Sequence, residues 1–206
     1  MFTHVDLNLP ELKRETIDGV RYYTINGKNK KLVSITSVIS HYNKEKFSKW
    51  RERVGEEEAN RVTKRATSRG TDTHTLIEHH LLNQELPKVQ PISEHLFKIA
   101  KPTLNRINNI RTLEGALYSD ILGVAGSVDT IAEFDGELAV IDYKTSKEPK
   151  PRDWIESYFV QTMFYGMALY EMTGIQIKKL VIIMTCENGE CVVYEEKDLN
   201  KYMKLV

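Results

Sequence analysis

Hydrophobic and polar positions are most legible in the second half of the chain. Val124 to Phe134 reads as one strand, and Leu138-Ala139-Val140-Ile141 is the continuous apolar run of a strand buried on both faces. Between them Asp135-Gly136 suits a two-residue hairpin turn, because both central residues need φ > 0. Residues 113–118 open this sheet. After Lys144 the segment TSKEPKPRDW, with two prolines, ends the second strand. A helix over about 154–172 is apolar on most sides and closes at Gly174, as expected of a crossover helix packed on a sheet. KKLVIIMTC and ECVVYEE form a buried strand and its hairpin partner.

The first half is more polar. Residues 20–35 predict a hairpin, VRYYTI and KLVSI, around Asn26-Gly27 and a lysine-rich turn. Thr36 or Ser37 caps a short helix, SVISHY. A helical pattern follows over about 44–68. Gly70 ends it, and Thr71 or Asp72 caps the next helix, THTLIEHHLL. Residues 83–92 are a loop, and Ser93 caps a helix to about residue 110, interrupted at Pro102. The sum is an α/β chain.

Composition narrows the class. Hydrophobic and charged fractions of 41% and 28% are those of an ordinary soluble globular protein. No run of 18 apolar residues predicts a transmembrane helix. MFTHVDLNLPELKRE lacks the regions of a signal peptide, which points to a cytoplasm. Net charge is zero, yet residues 1–113 hold 20 Lys/Arg against 13 Asp/Glu, and residues 114–206 hold 9 against 16. The basic half suits a phosphate backbone. Cys186 and Cys191 fall opposite each other if Asn188-Gly189 is a turn. A disulfide is open to them, though a reducing cytoplasm favours free thiols. Two cysteines are too few for an iron–sulfur cluster, which needs four ligands.

The candidate chemistry lies at the hairpin. Period-two alternation puts Asp142 and Lys144 on one side of their strand, beside a partner strand bearing Asp129. Burying such charges is costly unless they are used or paired. Two carboxylates on adjacent strands suit Mg²⁺ or Mn²⁺ through hard oxygen ligands, and a lysine suits transition-state charge. Together they suit phosphodiester hydrolysis. Trp50, among Lys49, Arg51, Arg61, Lys64, Arg65 and Arg69, suits either stacking on a base or anchoring its helix to the core, and the core role is preferred.

Gly126-Ser127-Val128-Asp129 followed by Asp142-Tyr143-Lys144 resembles the PD-(D/E)XK nuclease signature in its RecB-type form. Arg69-Gly70-x-x-x-His74-x-x-x-Glu78 and Gln161-x-x-x-Tyr165 resemble its flanking motifs. Residues 35–39 (ITSVI), Trp50-Arg51 and FDGELAVIDYKTSKEPKP are similar to the mitochondrial genome maintenance exonuclease group and its phage relatives. The resemblance implies a restriction-endonuclease-like core, a mixed sheet flanked by helices, under an N-terminal helical cap. It divides the chain into residues 1–112, with the basic helices and the His74 motif, and a nuclease core at 113–206, in one compact unit. It implies a Mg²⁺- or Mn²⁺-dependent exonuclease, free of an iron–sulfur cluster, acting on single-stranded DNA ends or flaps. A structure-selective endonuclease, an RNA-acting nuclease and a non-catalytic binding module are the alternatives. Asp129, Asp142 and Lys144 are then catalytic. The metal sphere is Asp129, Asp142, His74 and the Tyr143 carbonyl, with Glu114 ranked below these. Lys64, Arg65, Arg69, Gln161 and Tyr165 contact DNA. The setting expected is bacterial or phage.

Overall fold

A computed structural model describes residues 1–25 and 30–206, so the expected turn at Asn26-Gly27 lies outside the described residues. Three strands, β1 (Leu12–Ile17), β2 (Val20–Ile25) and β3 (Lys31–Ser34), lead into helices α1 (Ile35–Tyr42), α2 (Lys44–Val54), α3 (Glu56–Leu81) and α4 (Pro91–Leu104). Then come β4 (Ile107–Ser119), β5 (Val124–Phe134), β6 (Glu137–Ser146), α5 (Glu156–Thr173), β7 (Lys179–Cys186), β8 (Cys191–Glu196) and a short α6 (Leu199–Met203). The strands form one mixed sheet in the order β1-β2-β3-β5-β6-β7-β8, with β4 also paired to β5.

The sheet has a core on each face. β7 is buried at every residue, as its unbroken apolar run requires. Leu180, Ile182 and Met184 join Phe159, Phe164 and Leu169 of α5 on one face, while Val181 and Ile183 join Leu76, Phe97 and Leu104 of α3 and α4 on the other. Helix α5 packs against the sheet and, through Phe159 stacked on Tyr202, against α6, which explains why it is apolar on most sides. Among the described residues no helix is long and apolar enough to cross a membrane.

The β5–β6 turn has Asp135 and Gly136 at φ 51° and 78°, as expected of that dipeptide. Other expectations are corrected. β1 pairs with β2 along LKRETI, a segment too polar to read as a strand because it lies at the sheet edge. α1 is capped by Ser34, whose Oγ accepts from the Thr36 backbone N–H at 3.3 Å, in place of Thr36 or Ser37. The 44–68 helix breaks at Gly55, where φ is 85°. Helix α3 then runs straight through Gly70. Thr73, Leu76, Ile77 and Leu81 are buried at helical spacing, and that packing outweighs the modest cost of a helical glycine. Pro91 takes the first position of α4, so Ser93 lies inside the helix. The helix expected to reach residue 110 stops at Leu104, and β4 begins at Ile107, its register slipping between Asn108 and Thr112. The division expected at 112/113 therefore falls inside β4.

α2 buries no residue, and before Arg69 α3 buries only Ala59. Trp50 is half-buried and stacks on Phe47 at 5.4 Å, so it anchors to its own helix and not to the core. Cys191 pairs with Thr185, one residue out of register with Cys186, and both thiols are free.

Candidate active site

The site follows from how β5 divides its partners. β4 runs along one side of it. On the other side β3 pairs only at Val124 and Ala125, and β6 only from Thr130 to Phe134. The ladder with β6 ends at Thr130↔Ile141, so the next residues, Asp129 and Asp142, stand where the strands part. Asp129 occupies that opening: its Oδ2 accepts the Tyr143 backbone N–H at 2.8 Å, replacing the missing ladder bond.

Asp142 and Lys144 share a side, as alternation predicts. Asp142 is 2% exposed. Lys144 Nζ donates to its Oδ1 at 2.6 Å and lies 2.5 Å from Oδ2, which makes no hydrogen bond of its own. The ammonium also sits 4.9 Å from the centre of the Tyr158 ring. Burial pushes the Asp142 carboxyl up to about 6 against the pull of Lys144. Burial acts to lower Lys144, but Asp142 and Asp129 outweigh it and hold it above the usual lysine value.

Two further groups arrive from elsewhere in the chain. His74 comes from the buried half of α3, and its Nε2 lies 2.8 Å from the Tyr143 carbonyl. A carbonyl only accepts, so Nε2 carries the proton, and Nδ1 is left facing Asp129 Oδ2 at 3.8 Å. Glu114 falls between the pairs Leu113↔Thr130 and Gly115↔Val128, directly across from Asp129. Its φ of 48° falls at a gap in the ladder, and Ser127 donates to its Oε2 at 3.3 Å. Desolvation of its carboxylate, then Asp129, pushes Glu114 up to about 7, although the residue as a whole is exposed.

His74, Glu114 and Asp129 each present a ligand atom within 4.8 Å of the others. An imidazole and two carboxylates are donors suited to a divalent cation. The residues thus fit a metal. Two details differ from the expected sphere. Asp142 is engaged by Lys144 and stands outside that group of three, and the Tyr143 carbonyl is taken by His74. Glu114, ranked low in the sequence, belongs to the group. Only the cross-strand register singles it out.

The expected DNA contacts divide. Lys64 and Arg65 are exposed on α3. Arg69 is buried, donates to Thr145 Oγ1 at 3.2 Å and is paired with Glu187, which also takes Arg65 at 3.3 Å. Glu187 lies in the β7–β8 turn, far in sequence from either arginine, and nothing local marks it. Tyr165 is 1% exposed and accepts from Gln161 Nε2 at 3.5 Å, so its ring is not offered to a strand.

A family model of the PD-(D/E)XK nuclease superfamily matches residues 49–201. The chain is 30% identical over 157 residues to mitochondrial genome maintenance exonuclease 1 of Homo sapiens, covering 69% of this chain and 44% of that protein. It is 31% identical over 152 residues to the Xenopus tropicalis protein of the same name, with 69% and 44% covered. The chain therefore spans less than half the length of these relatives. A crystal structure of a candidate exonuclease from Eubacterium rectale matches with a TM-score of 0.51 at 10% identity, over 68% of this chain and 62% of that one, a likeness of fold alone. The family match runs from α2 into α6 and takes in every residue gathered at the fork of β5 and β6, and on that ground the chain belongs to the PD-(D/E)XK nuclease superfamily.

Proposed function

We propose that this chain is a Mg²⁺- or Mn²⁺-dependent exodeoxyribonuclease acting on single-stranded DNA ends or flaps, in replication, repair or recombination. The observation that carries this reading is the fork of β5, where Asp129, Asp142 and Lys144 meet His74 and Glu114. The names of the relatives support the exonuclease assignment. Being vertebrate proteins, they lend nothing to a bacterial or phage setting.

Asp129, Glu114 and His74 would hold the ion, with Asp142 as the nearby buried carboxylate. A divalent ion bound there supplies positive charge at the scissile phosphate and lowers the pKa of water. The chain's own residues do the rest. Hydrogen-bonded through Nε2 to the Tyr143 carbonyl, His74 keeps its Nδ1 turned toward Asp129. Asp142 holds the Lys144 ammonium in place, so that Lys144 can donate to charge developing on the phosphate. The Glu114 carboxyl is held above its ordinary value, so ion binding there would be linked to release of its proton. Lys64 and Arg65 lie on the exposed face of α3, where they would contact phosphates.

End-labelled linear and circular single-stranded DNA, each with Mg²⁺, tests the proposal. Shortening of the linear strand with the circle left intact is expected. Cutting of the circle would make the enzyme an endonuclease, and preference for an RNA strand would reassign its substrate. Undiminished cleavage in EDTA would overturn the metal requirement.

A further inference from the structure

An open cavity of about 440 Å³ lies between the N-terminal segment and β4, beside the candidate active site. Glu114 belongs both to its lining and to the group formed with His74 and Asp129, so the cavity begins one side chain from that centre. Leu7, Leu9 and Leu12 give it apolar walls, and the first two are fixed by packing against the α5-side core.

Arg111 is the unusual member of the lining. The side chain is half-buried, and its Nε is buried with no hydrogen-bond partner. No ion pair engages it among the described residues. Arg69 and Arg106, by contrast, are paired, with Glu187 and Asp135. A guanidinium carries five donors in a planar fork and is costly to desolvate unpaired. Arg111 is thus a half-buried cation on the cavity's lining, with no acceptor for its guanidinium among the described residues.

Charge decides which acceptor fits. Asp6 and Glu11 line the cavity against the one arginine, even with Glu114 given to the ion, so a phosphate would enter a net-negative space. A flat, neutral heterocycle avoids that repulsion and covers the leucine walls. Its ring acceptors match the fork of Arg111, and its exocyclic amine can donate to a carboxylate. We propose that this cavity is a nucleobase subsite, taking the base of a nucleotide next to the scissile phosphate, with Arg111 as the residue that reads it. The proposal rests on the nuclease reading above. Guanine, with O6 and N7 for the fork and an amine for the acids, fits best. Thymine has no amine and fits least.

Single-turnover cleavage, with protein in excess over a labelled single strand, tests this when one abasic residue is walked through the nucleotides flanking the cut. At one position the abasic residue should raise the half-saturating protein concentration about tenfold, roughly the worth of one good contact. Guanine there should outperform thymine. Arg111→Met should weaken the intact strand to the same level, abolish all sensitivity at that position, and melt no lower than wild type, because it removes an unpaired donor. Arg111→Lys keeps the charge without the fork, and should keep the fold while losing the preference for guanine over thymine. Insensitivity at every position, or sensitivity that persists in both variants, would overturn the subsite. Failure of wild type to cut any intact strand would instead overturn the nuclease reading.

Discussion

Replacing Asp142 by Asn separates what this carboxylate does to the fold from what it does for chemistry. Asp142 is 2% exposed, and burial holds its carboxyl at about 6 in place of 3.8. A carboxyl whose pKa rises on folding binds its proton more tightly in the native state. Its stabilising contribution is complete below the unfolded value near 3.8, and is lost as pH rises through about 6. The shift corresponds to about 3 kcal/mol, most of it lost between about pH 4 and pH 6. Asn cannot titrate. In EDTA the stability of wild type relative to Asp142→Asn should therefore fall by about 2–3 kcal/mol from pH 4 to pH 7. Lys144 loses its charged partner in the variant, but the ammonium stays protonated across that range, so this cost shifts the variant's curve without tilting it. Urea unfolding at a series of pH values reads the difference. Excess Mg²⁺ should flatten the wild-type slope, since an ion favours the ionised carboxylate. Parallel pH curves for the two proteins in EDTA would refute the reasoning.

Lys144→Ala should slow cleavage about 10²–10³-fold with little change in substrate affinity, the usual loss when a donor aimed at transition-state charge is removed; near-normal turnover would reduce Lys144 to a counter-ion. Gly126→Ala should lower stability by about 1–3 kcal/mol, because a Cβ there would lie 2.8 Å from Tyr165 Oη and 2.9 Å from Ile35 Cγ2. An unchanged melting temperature would mean that α5 gives way. The double change Lys64→Glu and Arg65→Glu should weaken DNA binding and flatten its salt dependence, by about 0.7 in log–log slope for each phosphate that is no longer neutralised. The same affinity and slope as wild type would show that α3 presents an ordinary solvated face.

How much of this site is legible in the sequence depends on whether a local rule or a distant partner fixes each residue. Asp129, Asp142 and Lys144 stand out because charges follow a run, Leu138-Ala139-Val140-Ile141, that only a buried strand explains, and Asp135-Gly136 fixes where the two strands turn. β1 and the start of β4 do not stand out. The first is an edge strand with solvated side chains, and the second crosses an irregular register that erases the alternation. Gly70 misleads for a related reason: a glycine is a local signal of helix ending, while the burial that overrides it comes from α4 and β6. Arg69 reads as a free cation until Glu187, 118 residues away, closes on it. Glu114 is the sharpest case. Across from Asp129 its carboxylate is pushed up to about 7, yet no neighbour in sequence distinguishes it from a solvated glutamate. A strand glutamate becomes a candidate ligand only once the β4–β5 register is known, because that pairing brings a second carboxylate into its reach.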